Sequence, residues 1–260
     1  MKTIPFIKMH GLGNDYVYID CFPDYHGQSL GLTAISAFAR SVSDRHFGIG
    51  SDGLVLILPS KKADARMRIF NADGSEAEMC GNAIRCVAKY LYESGICRHL
   101  SMEIETLAGI RTLALQVASG IVEQVTVNMG IPVIRPEVLP CGADSIGYTS
   151  VNMGNPHAVF FRDAIPQLPN NTNVEFVRVH DNKKELDVRV IERGSGETLA
   201  CGTGACAAAV AAMWHGLADK EVTVHLPGGD LRIRQESADK PVYMTGPATE
   251  VFRGEYTINS

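Results

Sequence analysis

Two cysteines of this 260-residue chain lie in matching contexts, and they are the residues most capable of chemistry. Cys80 and Cys201 are each followed by a glycine and then by a segment of helical character, so each thiol is predicted at a helix N-terminus. A helix N-terminus carries unpaired N–H groups and the positive end of the helix dipole. Both features favour a thiolate over a thiol, and both can bind a carboxylate.

The presence of two such cysteines favours acid–base chemistry at a carbon over a single nucleophile. A stereoinversion needs a base on one face of the carbon and an acid on the other, and the two groups then share one proton. We therefore expect two thiols that face each other across a cleft, with helix N–H groups stabilising the carboxylate of an amino acid as its α-proton leaves. The remaining cysteines are interpreted as small buried hydrophobes: Cys21, Cys86, Cys97, Cys141 and Cys206.

A zinc site is an alternative use of these cysteines. The first ligands of such a site would have to be Cys80 and Cys86, or Cys201 and Cys206. No histidine cluster completes either set of ligands. A thiol-redox protein is disfavoured as well, because it usually carries a C-x-x-C motif. The sequence therefore predicts neither a metal nor a redox pair.

Nucleotide binding is the alternative from a different functional class. The segment 48–53 matches G-x-G-x-x-G, but a strand rather than a helix follows it. The segment 202–207 matches G-x-G-x-x-A and opens a helix, yet it does not follow a clean strand–helix–strand unit. Both matches are interpreted as coincidental.

The apolar periodicity predicts three helices that alternate with strands. One begins near Cys80 and ends at Gly95, an alanine-rich one runs from Cys201 to Gly216, and a weaker one spans Thr33–Arg45. The alanine-rich helix is expected to be buried on all sides. Strands are predicted at Ile4–Met9, Tyr16–Cys21, Leu54–Leu58, Arg66–Phe70, Ser101–Thr106, Val122–Asn128, Leu186–Glu192, Glu221–Leu226 and Leu231–Arg234.

The sequence contains an internal repeat. At an offset of 121 residues Cys80 aligns with Cys201, and Glu76, Gly81, Ala88 and Gly95 then meet identical residues. A second match, at an offset of 141, pairs Gly13-Asn14 with Gly154-Asn155. Two copies of one α+β unit are therefore predicted.

Composition places the chain among globular proteins. Hydrophobic residues make up 45%, charged residues 20%, and the formal net charge is -5. The chain has no block of Lys or Arg and no long apolar run, so neither nucleic acid nor a membrane is expected as a partner. An odd number of cysteines without a signal peptide predicts reduced thiols in the cytoplasm.

Several segments that run in order along the chain carry a resemblance to the diaminopimelate epimerase family. They are Met9–Asp15, Phe70–Glu76, Cys80–Asn82, Gly154–His157, Thr172–Phe176, Glu192–Gly194 and Ala200–Gly204. The resemblance implies an α+β fold of two pseudo-symmetric α/β domains, each with a curved mixed or antiparallel sheet around a central helix, and an active site in the interdomain cleft. The expected domains are 1–116, completed by a strand at 249–260, and 117–248.

The resemblance also implies a function and a set of site residues. A homodimeric isomerase of lysine and peptidoglycan precursor biosynthesis would interconvert LL- and meso-2,6-diaminopimelate without pyridoxal phosphate, any other cofactor or a metal. Cys80 resembles the base for the LL isomer and Cys201 the base for the meso isomer. Amide donors to the reacting carboxylate would be Gly81, Asn82, Gly202 and Thr203. The remaining substrate contacts would be Asn14, Asn71, Asn155, Asn173, Glu192 and Arg193, with His157 as possible support. A racemase or epimerase of another amino acid on the same fold is the alternative.

The sequence departs from the family at three places. The stretch between Phe161 and Asn170 is shorter than in many relatives, which often have a helical segment there. Gly53 stands where some members carry a substrate-contacting glutamine. Ala83 replaces a common glycine, and little effect is expected because alanine suits a helix.

Overall fold

The chain forms two compact units. The structure, a computed structural model, describes residues 2–22, 35–141, 144–165, 167, 169 and 171–258. Unit 1 comprises Met1–Val125 and Pro247–Ser260, and unit 2 comprises Thr126–Gly246. The domain boundaries at 116/117 and 248/249 remain a prediction from the sequence.

The described chain contains three helices, and most of its other elements are strands. In chain order they are β1 (Lys2–Gly11), β2 (Asn14–Asp20), α1 (Ile35–Ser43), β3 (Gly53–Leu58), β4 (Ala65–Asn71), β5 (Glu76–Ala77), α2 (Gly81–Glu93), β6 (Ser101–Thr106), β7 (Gly109–Ala118), β8 (Ile121–Gly130), β9 (Val133–Cys141), β10 (Asp144–Asn152), β11 (Pro156–Phe160), β12 (Asn173–Val179), β13 (Glu185–Glu192), β14 (Gly196–Thr198), α3 (Gly202–Trp214), β15 (Glu221–Leu226), β16 (Gly229–Gln235), β17 (Val242–Gly246) and β18 (Thr249–Ile258).

The two units share one strand-pairing scheme. In unit 1, β1 pairs antiparallel with β18 and β2, β2 pairs parallel with β3, and β3 pairs antiparallel with β4. In unit 2, β10 pairs antiparallel with β9 and β11, β11 pairs parallel with β12, and β12 pairs antiparallel with β13. The next strands continue the correspondence, since β4 pairs with β5 and β6 as β13 pairs with β14 and β15. The predicted repeat of one α+β unit is confirmed.

A nearly enveloped helix lies against each mixed sheet. Ten residues between Gly202 and Ala212 in α3 are buried, and the alanines at its centre have no exposed surface. The small side chains allow this close packing on every side. The eleven residues from Gly81 to Leu91 in α2 are also buried. The predicted fold class, two-unit α+β, is confirmed, and both helices begin where the sequence predicts.

The repeat breaks at one element. In unit 1, α1 lies between β2 and β3 and packs Ala39 and Val42 into the core. Between β11 and β12, the part of the chain that the structure describes contains no helix, and this is the segment that the sequence predicts to be short. The first two residues of the predicted 33–45 helix lie outside the described residues.

Among the residues described, none of the three helices is long and apolar enough to span a membrane.

Candidate active site

Cys80 occupies the N-cap of α2, as the sequence predicts. Its backbone is extended, and the first intrahelical bond runs from the Ile84 N–H to its carbonyl oxygen over 3.0 Å. The N–H groups of Gly81 and Asn82 come before that bond, so they belong to the orphan donors of a helix N-terminus. The Cys80 thiol is half-buried, 3.5 Å from Asn14 Oδ1 and 3.9 Å from the Tyr16 hydroxyl.

A chain of hydrogen bonds fixes the amides around Cys80. The Arg85 guanidinium donates to Asn82 Oδ1 at 3.0 Å, Asn82 Nδ2 donates to Asn14 Oδ1 at 3.3 Å, and Asn14 Nδ2 donates to Asp52 Oδ2 at 2.8 Å. Arginine can only donate and a carboxylate can only accept. The two charged ends therefore determine which way both amides face.

Cys201 occupies the matching N-cap of α3, but its environment differs. Its sulfur accepts from the Gly204 N–H at 3.4 Å and lies 3.5 Å from Thr203 Oγ1, and the residue is 5% exposed. Burial raises the pKa of the Cys201 thiol well above its usual range, and the charges of Glu192 and Glu175 add to the rise. The contacts with Thr203 and Gly204 only partly oppose it. The prediction that the helix terminus favours the thiolate is therefore wrong for Cys201, because burial and two carboxylates outweigh it.

A buried relay leads to the Cys201 site. Glu175 Oε1 lies 2.6 Å from His157 Nδ1, and neither side chain has exposed surface. His157 Nε2 lies 3.0 Å from Asn155 Oδ1, while Asn155 Nδ2 donates to Thr203 Oγ1 at 3.3 Å. Because Asn155 uses its Nδ2 on Thr203, its Oδ1 must accept from His157. Burial also raises the pKa of the Glu175 carboxyl, which favours a pair that shares one proton over a separated ion pair.

Three of the substrate contacts that the resemblance implies, Asn173, Glu192 and Arg193, lie beside this relay. Asn173 pairs with His157 across the parallel strands β11 and β12, and its Oδ1 accepts from the Arg193 backbone N–H at 2.8 Å. Glu192 Oε1 accepts from Thr198 Oγ1 at 2.6 Å. Arg193 follows β13 in an exposed turn. These residues belong to unit 2, together with Cys201, Thr203 and Asn155.

Asn71 lies at the end of β4, opposite Gly53 of β3. Its side chain donates to Ser75 Oγ at 3.0 Å. A Cβ atom at Gly53 would lie 2.0 Å from the Phe70 carbonyl oxygen, so the backbone closes over the place that the family's glutamine would need. In this chain no side chain can leave the strand at position 53 without moving β4.

The two thiol environments are built from different sets of equivalent residues. Strand register places Tyr16 beside Gly53 and His157 beside Asn173, so Tyr16 and Val55 of unit 1 correspond to His157 and Glu175 of unit 2. The residue three positions after the cysteine also differs. It is Ala83 in unit 1 and Gly204 in unit 2, where a Cβ atom would lie 2.8 Å from Glu175 Oε1. The glycine is therefore required by the Glu175 carboxylate, whose equivalent in unit 1 is Val55.

Sequence reasoning missed four polar contributors to these sites: Tyr16, Asp52, Arg85 and Glu175. A polar residue in an otherwise apolar run was the available signal for Arg85 in α2 and for Glu175 in β12. Both are fully buried, and buried charges are rare unless they are paired. The interpretation of Cys86 as a structural residue agrees with a thiol whose pKa burial raises to about 11, and the same holds for Cys21. The side chain of Cys141 lies outside the described set.

Solved structures share this architecture. The chain matches a PhzF-family phenazine biosynthesis protein from Bacillus anthracis with a TM-score of 0.73 and 19% identity, covering 99% of this chain and 100% of the other. It also matches a hydroxyproline epimerase from Agrobacterium vitis with a TM-score of 0.70 and 14% identity, covering 97% and 92%. These likenesses define the class as a two-unit α+β fold of the kind found in those proteins.

Sequence relatives define the family. The family model for diaminopimelate epimerase matches residues 6–134 and 149–251. A diaminopimelate epimerase from Acetivibrio thermocellus is 47% identical, covering 98% of this chain and 99% of the relative. Another, from Pelotomaculum thermopropionicum, is 49% identical, covering 96% and 98%. The chain belongs to the diaminopimelate epimerase family, and the predicted family and enzyme class, an isomerase, are confirmed.

Proposed function

We propose that this chain interconverts LL- and meso-2,6-diaminopimelate by two-base proton transfer at the α-carbon. The observation that carries the proposal is the repeated placement of Cys80 and Cys201 at helix N-caps, with Asn14 Oδ1 3.5 Å from the Cys80 sulfur and Asn155 bonded to Thr203, two residues after Cys201. Family membership favours this substrate over another amino acid. The activity would place the chain in lysine and peptidoglycan precursor biosynthesis.

The proton balance of the reaction assigns the two thiols opposite starting states. In the LL direction, the Cys80 thiolate removes the α-hydrogen as a proton and becomes a thiol. The electron pair remains on the α-carbon and its carboxylate, and the Cys201 thiol then delivers its proton to the opposite face. The raised pKa of Cys201 suits the proton-donating role at the start of this direction. In the meso direction the two roles are exchanged.

The helix N-termini supply the electrostatic stabilisation that the scheme needs. The N–H groups of Gly81, Asn82, Gly202 and Thr203 are proposed to hold the reacting carboxylate, where negative charge grows as the proton leaves. Asn14 and Asn155 would orient the reacting amino acid, because each has its amide orientation fixed by a charged or titratable partner. His157 acts as a positioning residue through Asn155.

The distal amino-acid end of diaminopimelate requires a second set of contacts. We assign its carboxylate to Arg193 in a two-pronged ion pair, and its ammonium to Glu192. Asn71 and Asn173 supply neutral donors and acceptors. A substrate without this distal end would leave Glu192 and Arg193 unused, which disfavours the alternative of another amino-acid racemase.

Solvent hydrogen exchange tests the chemistry. Purified protein without pyridoxal phosphate is expected to place deuterium at the α-carbon of LL-diaminopimelate in D₂O while forming the meso isomer. Cys80→Ser and Cys201→Ser should each abolish epimerisation, whereas Cys206→Ala, inside α3, is the matched control and should retain it. Normal epimerisation by either serine variant would overturn the two-base scheme.

Two further assays test the substrate and the placement of the thiols. A panel of LL-, meso- and DD-diaminopimelate with histidine, proline and glutamate should show turnover of diaminopimelate alone, and turnover of proline or glutamate would support the alternative. The scheme requires one carbon to reach both thiols, so mild oxidation should inactivate the enzyme through a Cys80–Cys201 disulfide that peptide mapping detects. Full activity after oxidation would contradict that proximity.

The homodimer and the cytoplasmic location implied by the resemblance are also proposed. Light scattering of the purified protein should give twice the chain mass of 28.1 kDa. A single-chain mass with full activity would remove the dimer from the proposal.

A further inference from the structure

A mixed cluster of three metal-ligand types lies in unit 1, on elements that the Cys80 site does not use. Asp64 comes directly before β4, and Cys97 and His99 lie in the link between α2 and β6. One ligand atom from each residue lies within 4.8 Å of the other two. The Asp64 Oδ1 to His99 Nδ1 distance is 3.5 Å.

We propose that Asp64, Cys97 and His99 bind a divalent transition metal ion of the zinc class. Zinc takes thiolate, imidazole and carboxylate ligands, and tetrahedral ligands that are each about 2.1 Å from the ion stand roughly 3.4 Å apart. The observed carboxylate–imidazole separation of 3.5 Å matches that spacing. A thiolate and a carboxylate together neutralise a divalent ion, and neutral imidazole adds a third ligand. Water would complete the fourth position.

The surrounding backbone holds the ligands in place. The Asp64 N–H donates to the Glu103 carbonyl at 3.0 Å, and the Glu103 N–H donates to Asp64 Oδ2 at 2.8 Å. That second bond orients the carboxylate and leaves Oδ1 directed at His99, as outer contacts commonly do around metal ligands. The Cys97 N–H is fixed on the Leu91 carbonyl at 3.0 Å, and its sulfur lies within 4.8 Å of an Asp64 carboxylate oxygen.

Two features of the link keep the ion accessible. His99 is largely exposed, with 74% of its side-chain surface in solvent, so an ion can enter without unfolding the unit. The intervening Arg98 places its guanidinium over the Tyr92 ring, 5.3 Å from the ring centroid. This contact holds its positive charge away from the ligands. Sequence spacing did not reveal the set, because Asp64 lies more than thirty residues before Cys97.

The metal would not take part in the proposed epimerisation, and the inference does not depend on that function. Its role would be to clamp the start of β4 to the link that follows α2. The alternative explanation of the cluster is an Asp64–His99 ion pair beside a protonated thiol. The two explanations differ in whether the three residues bind one metal ion together.

Cobalt(II) is the probe, because a cysteine thiolate bound to it gives a charge-transfer absorption band. Wild-type protein titrated with Co²⁺ should show this band at one equivalent, and excess Zn²⁺ should remove it. Cys97→Ser should lose the band, and His99→Gln and Asp64→Asn should weaken binding by about tenfold or more, at least as much as loss of an outer contact does. The Cys80→Ser/Cys201→Ser double variant is the control and should retain the band.

Thermal unfolding gives a second readout that does not involve activity. Zn²⁺ should raise the unfolding midpoint of wild-type protein and not that of His99→Gln. Because position 99 is exposed, misfolding of this variant would not explain the loss of the Zn²⁺ effect. The proposal is overturned if wild-type protein gives no band, or if the band persists in Cys97→Ser and disappears in the double variant. In the latter case the cysteines at the helix N-caps would be the ligands.

Discussion

Gly204→Ala tests whether the buried carboxylate of unit 2 is rigidly held. By helix propensity alone, alanine in place of glycine should stabilise α3 by about 1 kcal/mol. The structure predicts the opposite, because the new Cβ would lie 2.8 Å from Glu175 Oε1 and 3.3 Å from Cys201 Cβ. Glu175 cannot retreat without leaving His157, which it contacts at 2.6 Å.

The expected magnitude follows from these two opposing effects. Overpacking of a filled core costs about 1–3 kcal/mol, so after the propensity gain the free energy of unfolding should fall by about 1 kcal/mol. For a chain of this size that corresponds to a decrease of roughly 2–4 °C in Tm. Epimerase activity should fall as well, because the shifted residue carries the N–H that Cys201 Sγ accepts from.

The chain supplies its own control at the equivalent position. Ala83→Gly in α2 removes a buried methyl group where Val55 replaces the carboxylate, so lost helix propensity and lost packing act together and should cost about 1 kcal/mol or more. In a Glu175→Ala background, Gly204→Ala should become stabilising, which a double-mutant cycle by denaturant unfolding would measure. A Gly204→Ala protein that is more stable than wild type and fully active would refute the reasoning.

Three further outcomes are expected. Asp52→Ala removes the acceptor that orients Asn14, so kcat/KM should fall about tenfold or more, since hydrogen bonds to charged groups are worth about 1.5–3 kcal/mol. An unchanged kcat/KM in steady-state kinetics would contradict the orienting role of Asp52. Alkylation of Cys201 by iodoacetamide should become fast only at a pH well above the usual thiol range. Glu192→Gln should move the pH at which alkylation accelerates to a lower value, because it removes a charge that raises the Cys201 pKa. Peptide mass mapping measures the alkylation rate of both proteins, and identical pH profiles would count against the electrostatic explanation. Arg85→Met should lower the free energy of unfolding by about 3 kcal/mol, because it removes the buried guanidinium that donates to the Gly81 carbonyl, Asn82 Oδ1 and the Pro247 carbonyl. The exposed Arg178→Met should change it by less than about 1 kcal/mol, and equal effects in denaturant unfolding would contradict this account.

The sequence predicts the helices and the cysteine placement well, because both depend on local signals. The period of apolar residues defines α2 and α3, and the glycines at 95 and 216, both with positive φ, end them. The sequence analysis missed strands such as β7 and β9, because they contain many polar residues or prolines. Pairing with a neighbouring strand stabilises them, and strand propensity alone does not include that contribution.

The site was only partly predictable for a related reason. Cys80, Cys201 and the asparagines were recognisable from motifs, whereas the supporting residues depend on contacts between strands that are distant in sequence. Asp52 reaches Asn14 across a parallel pair, and Glu175 reaches His157 in the same way. The direction of the Cys201 pKa was mispredicted because the sequence does not reveal how much water the folded unit excludes around the sulfur.

The position of β18 has a consequence for synthesis on the ribosome. In unit 2 the strand that takes the place of β18 is β9, and the whole unit has been translated by Gly246. Unit 1 instead pairs β1 with β18, bringing Ile4 beside Tyr256. During translation unit 2 can fold while β1 waits, with one edge of its ladder open, for the final strand to emerge. A nascent chain stalled before residue 249 should therefore be the form most prone to aggregate.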